Sequence, residues 1–304
     1  MEAPLQTLRV EADARPTAAI GEPPQTAGGP PESASVSALP PVASTTELAL
    51  LDLIRGARAH HLWGLLGWQD IRRRYRRSIL GPFWITISMG VFVAALGTLY
   101  GALLKVEIAE YVPYLALGFI AWTLISNMLT EGCTAFTEAE GIIKQVGQPL
   151  SIHLYRIVWR NFIIFCHNAA IFVVVAVLFS VWPGVTGLLA LPGLMLLCLN
   201  GAWAGLLLGI VSARFRDLPP LVASIMRVAF FLTPIIWMPS LLPGRGVLLE
   251  FNPFYHLLEL VRAPMLGQLP GLVSWLAVAG ITLGGWLVTF VMFRRYRWRI
   301  AYWI

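Results

Sequence analysis

Few residues of this sequence have the types and spacings that support catalysis. The chain has two lysines, Lys105 and Lys144, and neither follows a glycine, so the Gly-Lys-Ser/Thr signature of a phosphate-binding loop is absent. There is also no Asp-x-Asp pair to hold a nucleotide-sugar through a metal ion. The sequence therefore favours a protein that is not an enzyme and carries no cofactor of its own. Any ATP hydrolysis would occur in another chain.

Metal-ligating residues form no convincing cluster in the sequence. His60 and His61 are adjacent but have no cysteine or carboxylate near them, which is a weak metal signal. Cys133, Cys166 and Cys198 lie far apart inside apolar stretches, where cysteine usually serves as a small packing residue. We therefore predict no metal centre and no disulfide.

Polar side chains inside apolar stretches are the remaining candidates, because burying them in hydrocarbon is costly. Asn127 and Glu131 are four residues apart, so a helix places them on one face. Asn161, Asn168 and Asn200 add amides to later stretches, where contacts between helices are the expected role. Glu131 fits the lining of a pathway and an interfacial position equally well.

The composition indicates a membrane protein. Hydrophobic residues make up 57% of the 304 residues and charged residues 12%, against about 25% charged residues in ordinary globular chains. Apolar segments near the ~20 residues that cross a bilayer predict an all-α integral membrane protein with six transmembrane helices. The predicted spans are Phe83–Leu104, Tyr114–Phe136, Ile157–Val181, Leu188–Ser212, Leu221–Met238 and Leu272–Phe293.

The basic residues predict the orientation of these spans. Arginines cluster before the first span and after the last, and further basic residues lie between the second and third spans and between the fourth and fifth. The positive-inside rule then places both termini in the cytoplasm. The same placement explains the net charge of +6 by topology, so we expect no nucleic-acid partner.

The composition also divides the chain into segments. Residues 1–45 are rich in Pro, Ala, Ser, Thr and Gly and contain no aromatic residue, which predicts a disordered cytoplasmic tail. They show no signal-peptide pattern. Residues 46–82 form a cytoplasmic interface region, residues 83–293 the transmembrane domain, and residues 294–304 a basic cytoplasmic C-terminus.

The segment before the first span has the pattern of an amphipathic helix. Trp68, Ile71, Tyr75 and Ile79 are spaced by three, four and four residues and form one apolar stripe, with most of the arginines opposite. Such a helix would lie in the membrane interface with its cations towards anionic headgroups.

The segment from Pro239 to Pro270 is too long and too apolar for a simple loop, and prolines and glycines interrupt it. This pattern predicts short re-entrant helices before the last span. Asn252 followed by Pro253 would start one of them, with Asn as the cap and Pro in the first turn.

Four stretches together resemble the permease subunit of ABC-2 type exporters, in the O-antigen and polysaccharide branch. The resemblance runs from about Leu62 to the end of the chain. The stretches are Asp70-Ile71-Arg72-Arg73-Arg74-Tyr75 with Leu80-Gly81-Pro82-Phe83-Trp84, Ala213-Arg214-Phe215-Arg216-Asp217-Leu218, Thr233-Pro234-Ile235-Ile236-Trp237, and Asn252-Pro253-Phe254-Tyr255-His256.

This resemblance implies a homodimer in the bacterial inner membrane, with two copies of a separate ABC ATPase subunit that binds Mg-ATP. It also implies a short coupling helix that docks on the ATPase between the second and third spans. The residues that match it in this sequence are Glu140, Ile142, Ile143, Lys144, Gln145 and Pro149.

The resemblance further implies that a lipid-linked glycan of the undecaprenyl type enters from the cytoplasmic side and passes between the two permeases. Arginine suits the lipid pyrophosphate; the interface residues expected to face it are Arg72, Arg73, Arg74, Tyr75, Arg76 and Arg77. Candidates to line the channel are Trp84, Tyr114, Phe119, Trp122, Asn127 and Glu131.

Other functions stay open from the sequence. A teichoic acid or drug exporter of the same class would show the same spans and the same basic helix. A membrane glycosyltransferase or acyltransferase acting on the carrier lipid belongs to another class, and the missing Asp-x-Asp pair disfavours it.

Overall fold

A computed structural model describes residues 45–74, 76, 83–241 and 246–304, and within these ranges every regular element is a helix. The predicted tail over residues 1–44 lies outside the described residues, as do Tyr75, Arg77 and residues 78–82. The α-helices are α1 (Thr45–Arg58), α2 (His60–Arg74), α3 (Phe83–Leu104), α4 (Ile108–Thr134), α5 (Glu140–Gln145), α6 (Ser151–Leu178), α7 (Ala190–Arg214), α8 (Leu218–Leu232), α9 (Gly246–Glu250), α10 (Pro253–Met265) and α11 (Leu272–Trp303). Two short 3₁₀ helices cover Gly184–Leu189 and Pro239–Leu241.

Five of the described helical segments are long and apolar enough to cross a membrane, which confirms an all-helical, multi-pass membrane protein. They are α3, α4, α6, the continuous run Gly184–Arg214 that contains α7, and α11. The predicted fifth span, Leu221–Met238, is not one continuous helix. In its place α8 has 15 residues, or about 22 Å, which is shorter than a ~30 Å hydrocarbon core.

Pro234 explains the early end of α8. Thr233 has extended backbone angles, with φ −88° and ψ 137°. The residue before a proline is pushed out of the helical region, and the proline itself has no N–H to continue the helix. The sequence pattern is apolar on both sides of this break, so hydrophobicity alone joined the two parts into one span.

Two other long helices extend beyond their predicted bounds. α6 begins at Ser151, so His153 and Arg156 belong to a helix and not to a loop. α11 continues to Trp303 through the segment predicted as a separate basic C-terminus. Arginine is a good helix former, so a helix that leaves the membrane has no reason to stop at the first charge.

The interface region contains two helices where the sequence predicted one. α2 ends at Arg74 and turns Ile71 and Gly67 towards α6, with Ile71 3% exposed. A Cβ at Gly67 would come within 3.2 Å of the carbonyl oxygen of Arg156, so a glycine is needed for this close approach. α1 precedes α2, and the sequence analysis did not predict it.

The core is built around α4, which is the most buried of the spanning helices. It packs against α3, α6, α7, α8 and α10. Its contact with α7 is closest at Gly132, where an added Cβ would lie 2.5 Å from the Cα of Gly205. Small residues allow this approach between membrane helices, and the remaining α4 side chains interlock with those of its neighbours.

After the break at Thr233 and Pro234 the chain forms short helices before the last span, as the proline and glycine pattern predicted. Asn252 caps α10: its Oδ1 accepts hydrogen bonds from the backbone N–H groups of Phe254 at 3.0 Å and Tyr255 at 3.2 Å. This confirms the predicted Asn-Pro helix start. With 13 residues, α10 is too short to span a bilayer.

Candidate functional site: a groove between α4 and α8 and the networks that hold it

A groove of about 480 Å³ runs between α4 and α8. On α4 it is lined by Trp122, Ser126 and Thr130, which are spaced by four residues and so share one face. The α8 wall is formed by Ala223, Met226, Arg227, Phe230 and Phe231. Outside the groove, α3 and α8 carry exposed large apolar residues such as Val91, Leu99 and Val228.

Aromatic rings pack side by side along this wall. Phe230 lies with its ring centroid 5.3 Å from that of Phe119 and 5.8 Å from that of Trp122. Trp122 also contacts Phe254 of α10 at 5.5 Å, and Phe92 of α3 contacts Phe119 at 4.9 Å. These contacts fix the orientation of Trp122 and join α3, α4, α8 and α10 at one level of the fold.

At the C-terminal end of α8, the break in the chain is held by side chains from α4 and α10. Arg262 is 2% exposed and donates to the carbonyl oxygen of Pro234 at 2.6 Å and to Glu259 Oε2 at 2.7 Å. Its guanidinium lies 4.0 Å from the ring centroid of Tyr114, whose hydroxyl donates to the same Pro234 oxygen at 2.8 Å. Tyr111 donates to the carbonyl oxygen of Ile236. The backbone groups that the break leaves without helical partners are thereby satisfied.

Replacing Arg262 by Gln is expected to lower the free energy of unfolding by about 2–3 kcal/mol, because it leaves the partly buried carboxylate of Glu259 without its charged donor. The midpoint of thermal aggregation of the purified protein in detergent measures the change. The matched control is Arg214→Gln at an exposed position, which should shift that midpoint little. Equal midpoints for Arg262→Gln and Arg214→Gln would contradict this account of the break.

One aspartate, Asp70, ties α2 to α6. Asp70 accepts a bidentate pair of hydrogen bonds from Arg156, from Nε at 2.5 Å and from Nη2 at 2.6 Å. Arg160, one turn further along α6, donates to the same carboxylate at 3.1 Å. The three side chains are 10%, 16% and 9% exposed, so these are ion pairs with little screening by water.

The same network continues from α6 to α4. Arg160 Nη2 donates to Glu131 Oε2 at 2.7 Å, and Asn161 Nδ2 donates to the same oxygen at 2.5 Å. Arg74 at the end of α2 lies 3.7 Å from the other oxygen of Glu131. Glu131 is therefore an ion-paired residue at a junction of three helices, which neither of the two interpretations from sequence described.

A second aspartate, Asp52 of α1, joins three elements. Its side chain is fully buried and accepts hydrogen bonds from the backbone N–H groups of Leu150 at 3.1 Å and Ser151 at 3.0 Å. It thus caps the N-terminus of α6 from another helix, where a negative charge is stabilised by the helix dipole. Arg297 of α11 donates to its Oδ2 at 2.7 Å.

α5 is a short helix at the place predicted for coupling. Ile142 is 38% exposed, while Ile143 packs against the adjacent core. Lys144 Nζ donates to Glu140 Oε1 at 2.7 Å and to the main-chain oxygen of Ile304 at 2.7 Å. The hydrogen bond from Lys144 and its charge lower the pKa of the Glu140 carboxyl. The pair therefore persists below the pH at which a free Glu would be protonated.

The structure distributes the other predicted residues over different environments. The arginines of the interface helix that are described are exposed: Arg72, Arg73, Arg74 and Arg76. Trp84 is 54% exposed on α3, whereas Tyr114 and Phe119 are buried within the protein. Trp122 reaches the groove. Tyr75 and Arg77 lie outside the described residues.

The amides predicted to serve in helix packing do so at two positions. Asn200 of α7 donates to Thr282 of α11 at 2.7 Å, and Trp203 donates to the Asn200 oxygen at 2.8 Å. Asn161 reaches Glu131 across the contact of α4 and α6. Among the described residues, the buried side-chain amide of Asn168 has no hydrogen-bond partner.

Sequence reasoning missed the roles of Asp52 and of the Arg156–Arg160 pair. A signal for the second was present: two arginines four residues apart lie at the start of an apolar helix, and one aspartate precedes the arginine run of the interface segment. No comparable signal marks Asp52, whose partners are mostly backbone groups. Among the described residues, no group of three His, Cys, Asp or Glu residues is placed to hold a metal ion.

The fold is that of an all-helical, multi-pass membrane protein, and the comparison with known families identifies its class. Residues 61–266 match the family of ABC-2 type transporters, so the chain belongs to this family. It is 21% identical over 220 residues to the O-antigen export system permease protein RfbA of Myxococcus xanthus, covering 71% of this chain and 84% of that protein. An O-antigen export system permease protein RfbA of Klebsiella pneumoniae is also 21% identical, over 238 residues that cover 77% of this chain and 91% of that protein.

Proposed function

We propose that this chain is the permease subunit of an ATP-driven exporter that moves a lipid-linked polysaccharide, such as an O-antigen, across the bacterial inner membrane. The family match and the names of the relatives support this proposal most directly. The groove between α4 and α8 supports it chemically, because aromatic faces stack on sugar C–H groups without requiring a counter-charge.

In this proposal two copies of the chain face each other through α3 and α8 and enclose the groove. The exposed apolar residues on these helices fit either lipid or a second copy. The short α8 and the segment after it, down to Trp237, together complete the sixth crossing. α10 then re-enters the membrane from the outer side, with Asn252 capping its first N–H groups, and Arg262 of α10 satisfies the carbonyl oxygen of Pro234 at the break after α8.

The energy would come from a separate ABC ATPase that docks on α5. The C-terminal side of this helix is attached to neighbouring helices. Asp52 holds Leu150 and Ser151 just after it, and Lys144 contacts the last turn of α11. A push on α5 would therefore move α6 and α11 as well as the loop itself. In this way a movement of the ATPase on binding ATP would be transmitted to the transmembrane helices.

Replacing Ile142 by Asp is expected to weaken binding of the ATPase at least about tenfold, because a charge would be placed in an apolar docking contact. Co-purification of the partner ATPase with the tagged chain measures it, together with ATP hydrolysis by the complex. The matched variant Ile142→Val keeps the apolar surface and should retain the partner. Full co-purification of the Ile142→Asp protein would show that α5 is not the docking element.

The proposed function is tested by depleting this chain in the bacterium that carries it. The expected result is loss of the polysaccharide from the cell surface and accumulation of the lipid-linked polymer inside the cell. Both should be restored by the wild-type gene. Unchanged surface polysaccharide after depletion would overturn the proposal. If another exported lipid is lost instead, that lipid is the cargo and the polysaccharide is not.

A further inference from the structure

Arg227 is the one charged residue in the sequence of α8, a helix that is otherwise apolar apart from Ser224. It is the tenth of 15 residues, which places it about 13 Å along the helix from Leu218. Its side chain is exposed and is among the residues that line the groove between α4 and α8. A charge in the interior of an apolar helix needs a physical explanation, because the positive-inside rule concerns only basic residues at and beyond the ends of a span.

Few of the N–H groups of this guanidinium have a hydrogen-bond partner in the described chain. Arg227 Nη2 donates to Ser224 Oγ at 2.9 Å, one turn earlier on the same helix. No carboxylate of the described chain lies within ion-pair distance of Arg227, although Arg156, Arg160, Arg262 and Arg297 all have one. A guanidinium carries five N–H donors, so most of those of Arg227 have no partner in the described chain.

An unpaired arginine in contact with lipid tails would be costly, and such residues usually face a water-filled cavity or a substrate path. The groove offers this setting at Arg227. Ser126 and Thr130 line it opposite α8, with Trp122 and Phe230 nearby. A planar cation beside aromatic faces has the chemistry to bind an acidic sugar or a sugar phosphate.

We propose that Arg227 is an anion-binding site inside the conduit, which takes phosphate or carboxylate groups of the passing glycan. This inference rests on the proposed function, because two copies enclose the groove only in the dimeric exporter. The bound anion has two possible sources, the diphosphate of the carrier lipid and acidic sugars within the glycan. Both carry anionic oxygens, and Arg227 binds these.

The charge in the groove can be measured without ATP and without the natural glycan. Thr130→Cys, in a chain whose three native cysteines are replaced, provides a thiol on the opposite wall. Its rates of modification by an anionic sulfonatoethyl and a cationic trimethylammoniumethyl methanethiosulfonate are compared in membranes of the full complex. Arg227 should favour the anionic reagent, and Arg227→Gln should lower the anion-to-cation rate ratio by about tenfold or more.

Two variants control for altered folding. Arg227→Lys keeps the charge and should keep the ratio close to that of the unchanged chain. Arg55→Gln removes an exposed arginine on α1 and should not change the ratio. A ratio that is unaffected by Arg227→Gln, or a Thr130→Cys thiol that reacts with neither reagent, would overturn the inference.

The two sources are separated by protection of the same thiol. Undecaprenyl diphosphate in the vesicles slows modification if the lipid diphosphate is the ligand, and soluble oligogalacturonate slows it if acidic sugars are. In either case the protection should disappear in Arg227→Gln. Protection by neutral maltoheptaose alone, or by no probe, contradicts an anion site. The thiol experiment does not measure export, so a negative result overturns the anion site and does not bear on the proposed function.

Discussion

Replacing Asp70 by Asn is expected to lower the free energy of unfolding by about 3 kcal/mol. Asn has the same shape, but it leaves Arg156 without its bidentate carboxylate and takes one of two acidic partners from Arg160. Removing one member of a buried ion pair costs about 3–5 kcal/mol, because the remaining charge stays desolvated. The lower end of this range applies here, since Glu131 still pairs with Arg160. Denaturant titration of the purified protein, or its thermal midpoint, measures the loss.

Asp217→Asn is the matched control for this substitution. Asp217 is exposed at the start of α8 and makes no side-chain capping hydrogen bond. Its replacement should stay within about 0.5 kcal/mol of the unchanged protein. In the double variant Asp70→Asn/Arg156→Gln, adding the second substitution should lower the free energy of unfolding much less than Arg156→Gln does in the unchanged protein. Fully additive losses would show that the two side chains do not interact in the protein.

Replacing Asp52 by Ala is expected to reduce both stability and coupling. It leaves two backbone N–H groups at the start of α6 without their acceptor, and it leaves Arg297 without its carboxylate. We expect a loss of about 3 kcal/mol in the free energy of unfolding. We also expect ATP hydrolysis to continue with reduced export, because the start of α6, just after α5, would no longer be fixed to α1 and α11.

The control for this prediction lies in the same helix as Arg297. Arg297→Gln should reproduce part of the Asp52→Ala defect, whereas Arg295→Gln, at an exposed position two residues earlier, should not. The readouts are the thermal midpoint and the ratio of glycan exported to ATP hydrolysed. A ratio unchanged in Asp52→Ala would mean that this carboxylate only stabilises the fold.

Much of the architecture could be predicted from the sequence because the bilayer imposes strong constraints. Helix length and the absence of charge identified the long spans, as at Phe83–Leu104, where the predicted and observed bounds agree. Asn252 could be predicted as a helix cap because its chemistry is local: the side chain needs only the next two or three N–H groups. The short helix at Glu140–Gln145 was expected from the resemblance to ABC-2 permeases.

The polar networks could not be predicted in the same way, because their partners are distant in sequence. Asp52 is separated by about a hundred residues from the α6 N-terminus that it caps. Arg156 lies just before the predicted third span, which begins at Ile157, whereas α6 begins at Ser151; a basic residue placed in a loop needs no partner. Tyr114 was expected in the channel for its ring, whereas its hydroxyl and its stacked arginine hold the break at Pro234.

The most direct test of the proposed function is transport by the purified chain and its ATPase in proteoliposomes. The substrate is the lipid-linked polysaccharide of the source bacterium, incorporated with its glycan on the outer, ATP-accessible side. A membrane-impermeant glycosidase added outside then reports which glycans remain there. The proposal predicts that ATP, but not a non-hydrolysable analogue, makes a growing fraction of the glycan resistant to the enzyme. Glycan that stays fully cleavable despite ATP hydrolysis by an intact complex would contradict it.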